Sequence, residues 1–202
     1  QFQYSWWYRK VFELKNSKAA AFKLEFDGII YRANIWLNGE RIASADTLAG
    51  PFRQFSFDVS RLIKKDTGNT LAVEVFPPKA GDFTVGFVDW NPEAPDRGMG
   101  IWREVRLRGS GDVSLRYPFV ATRLDTVSLK KAELVISCEV QNNAATPVKG
   151  DLTIRTGGID LTQAVLLQPG ETRLVKFSPE EFSALKIRNP RIWGTHDLGM
   201  PE

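Results

Sequence analysis

Apolar and polar residues alternate with a period of two along most of the chain, and no long segment carries the period of an amphipathic helix. The alternation predicts strands over Trp7–Leu14, Phe22–Phe26, Ala33–Leu37, Glu40–Ser44, Arg53–Asp58, Thr70–Phe76 and Trp102–Arg108. A second set is predicted over Val113–Thr122, Ala132–Asn142, Gly150–Thr156, Leu161–Leu167 and Thr172–Phe177. Asn38-Gly39 joins two of these runs and favours a type I′ hairpin turn, whose central residues both need positive φ. In "ELVISCEVQN" the alternation puts Leu134, Ile136, Cys138 and Val140 on one face. Trp36 and Trp102, each on a strand pattern, are expected to pack into the core of the first sandwich.

The Gly/Ser-rich "RGSGDV", Arg108 to Val113, is the clearest punctuation, with strand patterns on both sides. The expected architecture is all-β. A jelly-roll β-sandwich of residues 1–110 leads into an immunoglobulin-like β-sandwich of residues 111–202. A length of 202 residues suits two such domains. The chain opens abruptly at Gln1 and ends on "GTHDLGMPE" without a closing element, so a cut from a longer protein is expected.

Composition removes several functions. The 27 basic residues are mixed with 24 acidic ones, net charge +3, and no basic block marks a nucleic-acid partner. No apolar run has the length of a membrane helix, so no membrane partner is expected. One cysteine, Cys138, and one histidine, His196, cannot build a Cys/His zinc site, and no metal or cofactor is called for. A Ser-His-Asp triad would need His196, which stands alone in the tail. "GDFTVG" lacks the Lys-Ser/Thr ending of a phosphate loop. Asp27 and Asp58 read as turn or strand-end residues.

The remaining chemistry lies in "GFVDWNPEAPDRGMGIWREV", Gly86 to Val105. Asp82, Asp89, Glu93 and Asp96 could supply a carboxylate pair for glycosidic hydrolysis, but a Pro-rich loop holds such a pair poorly in place. Asp89, Trp90 and Asn91 form a different grouping. A sugar offers apolar C–H faces and polar edges. One indole plane, one carboxylate and one amide are what such a ligand needs, and here they are adjacent. The alternative is that Trp90 only caps the core beneath the loop. Asp89, Trp90 and Asn91 are therefore the candidate substrate-binding residues, with no catalytic residue and no metal ligand in the chain.

Certain runs carry a resemblance. "FDGIIYRANIWLNGERIASADTLAGPFRQFSFDVSRLIK", "NTLAVEVFPP" and "GMGIWREVRL" resemble the N-terminal sugar-binding domain of glycoside hydrolase family 2. The likeness runs from about residue 5 to 110. A weaker one extends to about residue 195, over the immunoglobulin-like domain that follows in that family. "NPRIW", Asn189 to Trp193, is similar to the run leading towards that family's catalytic barrel, although Gly194-Thr195 departs from its pattern. "GFVDWNPEAPDRGMGIW" is most similar to the exo-β-D-glucosaminidase branch.

The resemblance implies a retaining hydrolase of terminal β-linked sugars that releases glucosamine, with its catalytic carboxylates in a barrel. A (β/α)₈ barrel needs roughly 250 residues of its own, so this chain is expected to be a non-catalytic fragment without one. The implied partners are a β-linked carbohydrate, with an amino sugar attracted by the acidic loop, and the missing barrel of the same chain. A free-standing carbohydrate-binding β-sandwich, or the β-mannosidase or β-galactosidase branch, is the rival reading.

Overall fold

The structure is a computed structural model that describes residues 2–83, 90, 92, 94–194 and 197. It divides into two compact units, Gln1–Gly111 and Asp112–Glu202. Among the described residues the chain is all-β apart from one 3-10 turn, Ser183–Leu185.

The first unit contains β1 (Trp6–Glu13), β2 (Ala21–Phe26), β3 (Ile29–Ile30), β4 (Arg32–Leu37), β5 (Glu40–Ala43), β6 (Phe55–Asp58), β7 (Gly68–Phe76), β8 (Gly100–Ile101) and β9 (Val105–Ser110). One sheet has the order β1-β7-β4-β5, another the order β6-β2-β9, and β3 pairs with β8. The inner faces follow from the alternation. Phe22, Leu24 and Phe26 on β2 meet Ala33, Ile35 and Leu37 on β4 and Val73 and Val75 on β7, closed over by Leu48 and Val59. Each of these side chains larger than alanine contributes about 1.5–3 kcal/mol on leaving water. Asn38 and Gly39, with φ of 54° and 89°, make the β4–β5 hairpin, in which Leu37 pairs with Glu40.

The second unit holds β10 (Val113–Leu124), β11 (Lys131–Asn142), β12 (Val148–Thr156), β13 (Ile159–Leu167), β14 (Thr172–Phe177) and β15 (Lys186–Arg188). β11 lies between β10 and β14 and also pairs with β15, while β12 and β13 form a separate hairpin. Ile136 and Val140 of β11 pack with Val165 and Leu167 of β13 and Val175 and Phe177 of β14. Leu134 lies against the same cluster, and Cys138 is half-buried with its thiol 3.3 Å from the Arg116 carbonyl. Buried Asn142 donates through Nδ2 to the carbonyls of Thr146 (2.8 Å) and Gln168 (3.0 Å), tying two turns to β11.

The tryptophan expectations need correction. Trp36 is half-buried and faces outward, because on β4 it is Ala33, Ile35 and Leu37 that point inward. Its neighbour is Trp7, with ring centroids 5.1 Å apart. Trp102 is 40% exposed and lies between β8 and β9 rather than on a strand. It rests on Gly28, donates its indole N–H to the Pro51 carbonyl at 2.9 Å and meets Phe52 edge-on. It is a clasp between loops, not a core residue. The strand expected over Trp102–Arg108 begins only at Val105, after β8 has ended at Ile101, and β9 continues through Ser110, which pairs with Ala21.

Candidate functional site

The long connection 77–99 leaves the first sheet at the end of β7 and re-enters at β8. Its base is built from described residues. Arg32 at the start of β4 makes a forked ion pair with Asp82, with one arm at 2.6 Å from Nη2 to Oδ1. Asp82 also accepts from the Lys79 backbone N–H at 2.7 Å, and its own N–H bonds the Lys79 carbonyl at 3.0 Å. The hydrogen bond from the Arg32 guanidinium, helped by the Lys79 N–H, holds the Asp82 carboxyl below its ordinary value.

The returning arm is fixed by Asp96. Its Oδ1 accepts from Gly98 N–H and its carbonyl from Met99 N–H, both at 2.9 Å. Arg97 and Gly98 take φ of 52° and 68°, so the chain reverses there. Arg97 also points its guanidinium at the Pro78 carbonyl, 3.4 Å away, where the two arms meet.

A cleft of about 940 Å³ opens beside this base, lined among others by Phe2, Tyr4, Phe76, Pro78, Lys79 and Arg97. Its charged lining residues are the two cations. Asp82, forked by Arg32, and Asp96, which caps Gly98, both help hold the loop's shape, and the Arg32 charge offsets that of Asp82. Asp58 closes β6 and Asp27 follows the end of β2, the strand-end and turn positions expected. Asp58 caps Ser60 through N–H (3.0 Å) and Oγ (2.7 Å), and Asp27 pairs with Arg106 at 2.5 Å.

Of the candidate substrate-binding residues, Trp90 is described and is 86% exposed. Asp89 and Asn91 lie outside the described residues, as do Glu93 and His196. The Arg32–Asp82 anchor went unnoticed in the sequence. A single Arg in "YRANIW" and an Asp fifty positions later share no local pattern that could announce them. Among the described residues no group of His, Cys, Asp and Glu could hold a metal ion.

Residues 1–82 match the family model described as "Glycosyl hydrolase 2 galactose-binding domain-like". The chain belongs to glycosyl hydrolase family 2. It is 33% identical over 199 residues to an exo-beta-D-glucosaminidase of Streptomyces avermitilis, a match covering 98% of this chain and 22% of that protein. It is 35% identical over 205 residues to an exo-beta-D-glucosaminidase of Hypocrea virens, covering 98% and 23%. The crystal structure of the Amycolatopsis orientalis exo-chitosanase superimposes with a TM-score of 0.84 at 28% identity, over 95% of this chain and 22% of that one. The family 2 chain described here thus spans less than a quarter of the length of the curated relatives it matches.

Proposed function

We propose that this chain is the non-catalytic leading part of a retaining β-glycosidase that removes terminal β-linked glucosamine. The first unit is its sugar-binding jelly-roll domain and the second its immunoglobulin-like domain. The observation that supports this most is that the match to exo-β-D-glucosaminidases runs over nearly the whole chain, second unit included. In this reading the acid and the nucleophile reside in a (β/α)₈ barrel, which needs roughly 250 residues of its own beyond the two β units here.

The loop 77–99 then adds contacts to a sugar site whose chemistry lies elsewhere. The Arg32–Asp82 pair and the Asp96 turn hold its two arms, and Trp90, open to solvent, offers a stacking plane. Asp89 supplies the carboxylate and Asn91 the amide. With Asp82 paired to Arg32, attraction for a glucosamine ammonium falls to Asp89, Glu93 and Asp96.

The test is kcat/KM on a p-nitrophenyl β-glucosaminide, using the full-length protein that carries this chain. Losing a hydrogen bond to a charged group costs about 1.5–3 kcal/mol, so Asp89→Ala should lower kcat/KM by about 10- to 150-fold. Trp90→Ala should lower it through lost stacking. A change under about twofold for both, with folding intact, reduces the loop to a structural cover. The 202-residue chain alone should release p-nitrophenol no faster than buffer.

A further inference from the structure

The outer face of the β1-β7-β4-β5 sheet carries a second constellation that the loop 77–99 does not use. Register places Arg9 of β1 opposite Ala72 of β7, Ala72 opposite Trp36 of β4, and Trp36 opposite Arg41 of β5. Side chains directly opposite one another share a face, so these four form one row across the sheet. In the next row Trp7 lies opposite Glu74, and Glu74 opposite Asn34.

Trp7 reaches diagonally over the small Ala72 and stacks on Trp36, with centroids 5.1 Å apart and planes 25° apart. It nevertheless stays 58% exposed. A stacked indole held this way offers a pre-ordered plane at little entropic cost. Arg9 and Arg41 are both exposed, and among the described residues neither meets a carboxylate. Glu74, the acid nearest the stack, is already engaged: Ser5 Oγ and Asn34 Nδ2 donate to its two oxygens, each at 2.9 Å.

We propose that this face binds a carboxylated glycan, a polyuronate, with a pyranose ring laid on Trp7 and carboxylates forked by Arg9 and Arg41. The rise of about 3.3–3.4 Å per residue sets Arg9 roughly 7 Å from Trp7 along the same face, within reach of a carboxylate carried on the stacked ring. Three strand spacings of about 4.8 Å put Arg41 roughly 14 Å from Arg9, a span that calls for an oligomer. A guanidinium fork matches a planar carboxylate in a way an ammonium point charge does not. A neutral sugar would stack but leave both arginines unmet, and an amino sugar would be repelled by them.

Affinity gel electrophoresis of the 202-residue chain tests this, with polygalacturonate, hydroxyethylcellulose or dextran sulfate cast in the gel. The wild-type chain should be retarded by polygalacturonate and not by hydroxyethylcellulose. Trp7→Ala and the pair Arg9→Ala/Arg41→Ala should each weaken retardation about tenfold, the scale of a lost charge-assisted or stacking contact. Lys130→Ala/Lys149→Ala removes the same charge from the second unit and should leave retardation unchanged. If the control pair loses as much as the arginine pair, only net charge is being read and the proposal fails. It fails equally if neither variant differs from wild type, or if dextran sulfate retards the chain and polygalacturonate does not. Should Trp7→Ala lower the unfolding temperature, the arginine pair carries the test by itself.

Discussion

Gly28 and Trp102 form a contact whose removal is calculable. A Cβ added at Gly28 would sit 2.5 Å from Trp102 Nε1 and 2.8 Å from Cε2, where ordinary contact begins near 3.4 Å. In Gly28→Ala the indole must therefore retreat by about 1 Å. That shift takes Nε1 away from the Pro51 carbonyl, 2.9 Å distant, and from the edge of Phe52. Overpacking costs about 1–3 kcal/mol, and a lost hydrogen bond about 1 kcal/mol more. Against this, Gly28 has no positive φ, so alanine reduces the freedom of the unfolded chain and returns about 0.4–1 kcal/mol. The indole is 40% exposed and can swing outward, which keeps the cost near the lower end. A net loss of about 1–1.5 kcal/mol is expected, or a melting temperature lower by roughly 4–12 °C for a unit of this size.

The assay is thermal unfolding followed by circular dichroism, run as a double-mutant cycle. On the Trp102→Ala background there is no indole to displace, so Gly28→Ala should be neutral or slightly stabilising there. An unchanged melting temperature in the single mutant would refute the reasoning, and so would an equal loss on both backgrounds.

Asp82→Asn should destabilise the first unit by about 2 kcal/mol, since it leaves the Arg32 fork without its counter-charge; denaturant midpoints measure it. Because Asp82 is held below its ordinary value of 3.8, its contribution is complete above that pH and disappears as pH falls through the lower folded-state value. Acid titration should show this loss in the wild type and not in Asp82→Asn. Asn142→Ala strips several turn carbonyls of their buried donor and should lower the second unit's stability by about 2–3 kcal/mol, read as an earlier calorimetric transition; no change would mean water replaces the amide. Far-ultraviolet circular dichroism should show negligible helix, and a helical fraction above about one-fifth would contradict the all-β architecture.

Particular residues show why some features were legible and others not. The Asn38-Gly39 turn could be read from two adjacent letters, because positive φ is a local demand that few residues meet. Phe22, Leu24 and Phe26 could be read as an inner face because a strand's period is intrinsic to its backbone. Trp36 and Trp102 could not. Alternation tells which residues share a face, and does not tell which face is covered when a large aromatic stands on the other one. The short β3, β8 and β15 also escaped, since two or three residues carry no period.

By itself, then, the sequence determined what local stereochemistry controls. This covers the all-β architecture, the hairpin turns, the two alternating apolar faces, and the adjacency of Asp89, Trp90 and Asn91 in the sequence. Tertiary structure alone decided which partners distant residues meet. Arg32 takes Asp82 out of the acidic loop, Gly28 makes room for the Trp102 clasp, and Ala72 lets Trp7 reach Trp36 across a strand. These pairings depend on sheet register and on the order in which strands stack. Such terms arise only when segments far apart in the chain are brought within a few ångströms, so no window of sequence contains them.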